Sequence, residues 1–275
     1  MSFRASRSAL PGFALTMGIT LTWLSLIVVL PLALLVLRPW TLGVAGVWHS
    51  IAEPRVLAAL RLSFGAAVLA AAVNVPFGLL VAWVMVRYRF PGRNLADSLI
   101  DMPLALPTAV AGIALTALFA PKGWIGILLM PLDIKVAYTP LGILVALVFV
   151  GLPFVVRTLE PVLMDLPLEA EEAAATLGAS RAQTLRRVVL PALVPALLAG
   201  FAAALARGIG EYGSVIFIAG NMPMISEIAP LLIVIRLEQL DYAGAAALAL
   251  VMLLASFGIL LLLNWLQWRM ARRPS

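Results

Sequence analysis

The chain contains no cysteine, a single histidine (His49) and only two lysines (Lys122 and Lys135), and charged residues make up just 12% of its 275 positions. Each scarcity closes a class of function. Without cysteine there is no disulfide, thiolate metal site or cysteine nucleophile, although the absence fits either redox compartment. One histidine supplies neither a Ser-His-Asp triad nor a multi-histidine zinc site, so no catalytic and no metal-binding residues are assigned. The run G-x-x-x-x-G-K-[ST] does not occur, and Lys122 in Pro121-Lys122-Gly123-Trp124 lacks that setting; nucleotide is expected to be bound elsewhere. The charged share is about half that of a soluble domain, roughly 25%.

Apolar surface is what the chain has instead: 63% of it is hydrophobic, with a mean hydropathy of +1.08. A helix needs about 20 apolar residues to cross the hydrocarbon core of a membrane. Six segments qualify, at about 13–37, 60–86, 102–120, 138–157, 192–218 and 243–266. The first is too long for a secretion signal, and Leu37-Arg38-Pro39-Trp40 offers no small-residue cleavage site. Pro103 and Pro107 are expected to bend the third. Backbone in lipid must satisfy its own hydrogen bonds, so the fold expected is an all-α integral membrane bundle of about six helices.

A sequence pI of about 10.5 would fit a nucleic-acid binder, but the arginines cluster beside hydrophobic spans, and no nucleic-acid partner is expected. Alternate loops carry twelve and six Arg and Lys residues. The richer set comprises Arg4 and Arg7, Arg87 to Arg93, Arg157 to Arg187, and Arg269 to Arg273. By the positive-inside rule both termini and the loop around Glu172 are cytoplasmic. Residues 1–57 read as an added layer of tail, first span and outer loop. A five-helix core at 58–266 comes next, with its long loop at about 165–190, and then a basic tail at 267–275. The tryptophans fall mostly near span ends, as interfacial anchors do.

That long loop has the most informative spacing. Asp165, Pro167, Glu169, Glu171 and Glu172 place a cap, a proline and negative charge where a helix N-terminus favours them. Gly178 is expected to end this helix in a left-handed turn. Ser180 and Gln183 form a capping box for a second short helix, with Arg186 and Arg187 near its end. Pro191 opens the next segment. Helices this short are marginal alone and must be held by packing. A docking surface built on Ala173-Ala174-Ala175 and an ordinary hairpin at the membrane surface both fit the spacing.

Together, Glu172-Ala173-Ala174, Gly178 and Val188-Val189-Leu190-Pro191 give E-A-A-x3-G-x9-V-x-L-P, which resembles the loop by which permease subunits of type I ABC importers grip their ATPase. The chain most resembles the T-type permeases of bacterial sulfate/thiosulfate importers. The stretches that carry this are 87–93 (RYRFPGR), 106–112 (LPTAVAG), 133–136 (DIKV), 153–157 (PFVVR), 210–213 (GEYG) and 217–220 with Asn221 (FIAGN). The resemblance implies an inner-membrane permease that pairs with a sister permease, two copies of a cytoplasmic ATPase that binds the ATP, and a periplasmic sulfate/thiosulfate-binding protein. It implies ATPase coupling through Glu172, Ala173, Ala174, Gly178, Leu190 and Pro191, and no bond chemistry in this chain. A molybdate or tungstate permease is the alternative within the same class, and a secondary transporter the alternative outside it.

Three further expectations come from the residues. Arg207, within the fifth span, costs at least about 2.5–3.5 kcal/mol at membrane depth, so it needs a partner. Glu211, four residues on, is the candidate, and the pair is a candidate pathway or gate element. Gly200, Ala204 and Gly208 form a small-residue ladder that permits close packing with another helix, expected in the sister permease. In the last outer loop, Asn221 and Glu238 are candidates for docking the binding protein. Asp97 and Asp101, four apart, read either as paired acid/base carboxylates or, as expected here, a solvated face beside Arg89 and Arg93.

Overall fold

Long apolar runs leave the backbone no partner but itself in hydrocarbon, and most of each run is helix, the third being broken at 106–107 and the fifth at 210–214. A computed structural model of the protein describes residues 12–271. Arg4, Arg7, Arg272 and Arg273, which enter the charge count for orientation, lie outside the described residues, as does the end of the expected basic tail, 272–275. Six helical stretches among the described residues have the length and hydropathy to cross a membrane: Leu15–Ala52, Pro54–Arg87, Thr108–Leu132, Pro140–Asp165, Arg181–Ile209 and Tyr242–Arg269.

The first stretch comprises α1 (Phe13–Leu24), a π turn at Ser25–Val29, α2 (Leu30–Leu37), a 3-10 turn at Arg38–Leu42 and α3 (Gly43–Ala52). There follow α4 (Pro54–Arg87), α5 (Arg93–Ala105), α6 (Thr108–Phe119), α7 (Trp124–Leu129) and α8 (Pro140–Asp165). Next come α9 (Leu168–Thr176), α10 (Arg181–Thr184), a second π turn at Leu185–Val189, and α11 (Leu190–Ile209). The chain closes with α12 (Val215–Ile218), α13 (Ala229–Glu238) and α14 (Tyr242–Ala271). Residues 57 and 58 both lie in α4, and 266 and 267 both lie in α14.

Prolines explain the two π turns. Pro31 and Pro191 lack an N–H, and their rings crowd the carbonyl four residues back. One widened turn just upstream relieves this, with the Leu30 N–H bonded to the Ser25 carbonyl and the Leu190 N–H to that of Leu185. The helix therefore runs on through Pro191, and the second helix of the 165–190 loop is the end of the fifth span rather than a separate short piece. Arg186 and Arg187 consequently sit inside a continuous helix, so the dipole argument for them does not hold. The fifth span also stops earlier than expected, at Ile209 instead of 218. Glu211 accepts the Ser214 N–H at 2.9 Å and the Ser214 hydroxyl at 2.8 Å, a local alternative to helical bonding.

The core is the mutual packing of α4, α8 and α11. Val155 of α8, fully buried, lies between Gly78 of α4 and Gly200 of α11. One turn earlier, Gly151 faces the buried Asn74 of α4 and Ala204 of α11. Gly208 packs on Ala67. The ladder Gly200-Ala204-Gly208 is thus used inside this chain, against α8 and α4. The expectation that it meets the sister permease is corrected: small residues permit close approach but do not say whose helix approaches.

On the side remote from the 165–190 loop, ion pairs tie the start of α4 and the residues just before it to α13 and the loop that precedes it. Arg55 grips Glu227 with both ends, at 2.8 and 2.6 Å, and the Glu227 side chain is only 2% exposed. Arg236 reaches Glu53 at 3.0 Å, the Ser50 hydroxyl, and the Gly244 carbonyl at 3.0 Å.

The glycine contacts give a paired expectation. A Cβ added at Gly78 would lie 2.6 Å from Val155 Cγ1, whereas at Gly65 of the same helix it would meet nothing within 4 Å. Gly78→Ala should cost about 1–3 kcal/mol by overpacking, read as a lower unfolding temperature of the detergent-solubilised protein. Gly65→Ala should leave that temperature unchanged or raise it.

Candidate functional site: the loop hairpin and the far end of its helix

Leu168–Thr176 begins the hairpin, but its N-cap is Pro167, whose missing N–H costs nothing there; Asp165 instead ends α8 and caps nothing. Glu169 and Glu171 occupy the first turn. Glu171 pairs with Arg87 at the end of α4, 2.8 Å away, and Arg87 also lies over the Trp83 ring. This fixes where α9 starts. Its end is a left-handed Gly178 with φ +82°, whose N–H meets the Ala175 carbonyl while the Ala179 N–H meets that of Ala174, each at 3.0 Å. The capping box is reciprocal: the Ser180 N–H donates to Gln183 Oε1 at 2.7 Å and the Gln183 N–H to Ser180 Oγ at 3.4 Å.

The hairpin presents most of its motif residues outward. Glu172, Ala173 and Pro191 are exposed, Ala174 and Leu190 half-buried, and Leu177 at the tip is 88% exposed. Between the two helices runs a groove lined by Ala174, Leu177, Gly178, Gln183, Thr184 and Arg187. The exposed Leu177 thus sits between an acidic rim on α9 and a basic rim on the following helix.

Behind the hairpin, Arg157 is the hub that the sequence did not reveal. Its guanidinium takes Asp101 bidentately at 2.8 and 2.6 Å, Asp97 at 2.8 Å and Glu160 at 2.7 Å. Asp97 and Asp101 therefore do not face Arg89 and Arg93, as expected, but fasten α5 to α8; their side chains remain 49% and 45% exposed. By sequence Arg157 counts as a loop charge, yet α8 continues past it to Asp165. The available signal was two aspartates on one helical face near a lone arginine between Pro153 and Pro161.

At the other end of α11, Arg207 does pair with Glu211. Glu211 lies beyond the end of α11, so the preference for Glu before Arg along a helix does not bear on the pair. One carboxylate oxygen receives both Ser214 donors and the other faces Arg207. The Glu211 side chain is 2% exposed and that of Arg207 33%. Two motif stretches meet here: a Cβ at Gly213 would lie 2.1 Å from Thr108 Oγ1, and one at Gly112 would lie 2.4 Å from the Ser214 carbonyl oxygen. These two glycines let the 106–112 and 210–214 segments touch. Just past α12, Asn221 is half-buried in a left-handed turn and donates to the Ile216 carbonyl at 2.8 Å, while Glu238 is exposed at the end of α13.

Residues 74–274 match the family described as binding-protein-dependent transport system inner membrane component. The chain belongs to that family. It is 50% identical to the sulfate transport system permease protein CysT of Salmonella typhimurium, over 98% of this chain and 97% of that one. Identity to the protein of the same name from Escherichia coli is also 50%, with the same coverage. A third such relative, from Synechococcus elongatus, is 47% identical over 94% of this chain and 96% of its own length. In fold, the permease resembles a chain of the bacterial alginate ABC transporter solved with an alginate pentasaccharide-bound periplasmic protein. The TM-score is 0.77 at 16% identity, over 95% of each chain. A chain of the inward-facing MetNI methionine ABC transporter gives 0.53 at 19% identity, over 80% of this chain and 98% of that one. It is a multi-pass inner-membrane permease of the ABC importer class.

Gly178 has open space around it, so replacing it tests backbone strain alone. Gly178→Val forces a β-branched residue to positive φ at a cost of at least about 1–2 kcal/mol. The expected result is normal membrane insertion with loss of the co-purifying ATPase; undiminished ATPase recovery would show that the turn does not set the hairpin's shape.

Proposed function

We propose that this chain forms one half of the membrane pathway of an ATP-driven importer of sulfate and thiosulfate. The observation that carries the reading is near-full-length identity of 50% to two bacterial permeases named for sulfate transport. It pairs with a sister permease, takes ATP-driven motion from two copies of a cytoplasmic ATPase, and receives its anion from a periplasmic binding protein. The chain itself binds no ATP. Both termini and the hairpin face the cytoplasm, and residues 1–57 form a layer added to the 58–266 permease core.

The coupling surface is Glu172, Ala173, Ala174 and Gly178, with Leu190 and Pro191 joining it to the span. Insertion of Leu177 and the alanine face into a groove of the ATPase buries apolar surface that the isolated chain leaves in water. Because Arg87 holds α9 and Arg157 holds α5 to α8, force on the hairpin reaches the bundle through ion pairs as well as through the chain. At the far end, Arg207 offers positive potential to a dianion, and Glu211, held by Ser214, keeps that potential from becoming a trap. Asn221 and Glu238 lie on the loop proposed to meet the binding protein.

The deciding experiment is ATP hydrolysis by the complete complex in liposomes with its binding protein and each oxyanion in turn. Sulfate and thiosulfate should stimulate it; stimulation by molybdate or tungstate alone would overturn the assignment. In the same assay Arg207→Gln should abolish transport with the complex still assembled, and Glu211→Gln should slow anion release. Full transport by Arg207→Gln, or loss of assembly in both variants, would make the pair structural.

A further inference from the structure

Arg61 lies two turns inside α4, where an ionised side chain is costly unless it finds a polar partner. Among the described residues its side chain makes no ion pair or hydrogen bond, and the same is true of Lys135 in the segment before α8. Both are exposed, and both line one cleft of about 550 Å³ between α4 and α8. The N-terminus of α8 lies at the same cleft through Thr139 and Pro140. The Thr139 hydroxyl donates to the carbonyls of Lys135 and Val136, so no side chain caps the first amides of α8. Two unpaired cations and the positive end of a 26-residue helix therefore converge there.

The rest of the cleft is of the opposite character. Leu62, Gly65, Ala66 and Leu69 of α4 face Leu141 and Leu144 of α8. Gly65 keeps the slot open, since nothing lies within 4 Å of the position its Cβ would take. An inorganic dianion would match the cations but gain nothing from this apolar wall, and a neutral lipid would leave the cations unmatched. An amphiphile with an anionic head and a hydrocarbon tail matches both parts. We infer that this cleft holds an anionic phospholipid of the leaflet remote from the hairpin, its phosphate at Arg61 and Lys135 and an acyl chain along Gly65, Leu69 and Leu144. Basic pockets between membrane helices bind such headgroups by the same electrostatics, and the arginine stem lies along apolar surface as its charge reaches the head.

The test uses the assembled complex in nanodiscs of phosphatidylcholine containing phosphatidylglycerol, followed by detergent washing and native mass spectrometry of the retained lipid. The wild-type complex should keep phosphatidylglycerol and lose phosphatidylcholine. Removing both cations, Arg61→Gln with Lys135→Gln, should weaken retention about thirtyfold. Gly65→Leu should do the same with both charges intact, by filling the slot at a position with room for a side chain; Arg61→Lys should retain the lipid. Recovery of the ATPase with each variant shows that assembly is unaffected. Because the chain has no cysteine, Leu144→Cys reports the occupant: modification by a lipid-phase maleimide is expected. Equal retention by the double variant and Gly65→Leu, displacement of lipid by inorganic sulfate or phosphate, or a Leu144→Cys crosslink to the sister subunit would each overturn the inference.

Discussion

Val155 is held between the backbones of two other helices, with Gly78 on one side and Gly200 on the other. In hydrocarbon there is no hydrophobic drive to bring helices together, so association depends on how closely their surfaces fit. A β-branched side chain with one preferred helical rotamer, seated between two glycines, sets the separation and rotation of α4, α8 and α11. The contact of Gly151 with Asn74 and Ala204, and that of Gly208 with Ala67, repeat the arrangement along the same seam. Other elements attach to this trio: α5 through Arg157, α9 through Arg87, and the loop before α13 through Arg55, while Arg236 of α13 holds Ser50 and Glu53 at the end of the first helical stretch.

Those attachments share a logic. Each arginine stands near the end of a span or just beyond it, and each reaches a carboxylate far away in sequence. Arg55 and Glu227 are 172 residues apart, Arg236 and Glu53 183, and Arg87 and Glu171 84. A charge clustered near a membrane boundary for topological reasons is thus also available as a clamp. Burial differs between them: Glu227 is almost wholly covered, whereas Glu53 and the two aspartates at Arg157 keep nearly half their surface. Exposed pairs contribute little individually, typically about 0–1 kcal/mol, so the Arg157 cluster matters through its number of partners and its bidentate geometry.

The spans and the hairpin's local geometry were legible because both depend on nearby residues. Apolar runs mark helices in a membrane, a glycine marks the left-handed end of α9, and Ser180 with Gln183 marks the start of the next helix. What was illegible needed either distant partners or the tolerance of a helix for disruption. Pro191 looked like a boundary, but a π turn absorbs it. Ile209 to Ile218 looked like continuous span, but Glu211 turns back onto Ser214. The ladder at Gly200, Ala204 and Gly208 showed that something packs closely, without naming α8 and α4. The meeting of Thr108 with Gly213 has no trace in spacing at all, since over a hundred residues separate them.

The continuity of the helix from Arg181 to Ile209 has a mechanical consequence. At about 1.5 Å per residue, 29 residues make a rod of roughly 43 Å, with the hairpin at one end and Arg207 near the other. Tilting such a lever by about 5° swings its tip through roughly 4 Å, comparable to the length of an ion pair. A small rocking applied at Ser180 therefore arrives at the Arg207 end as a displacement of several ångströms.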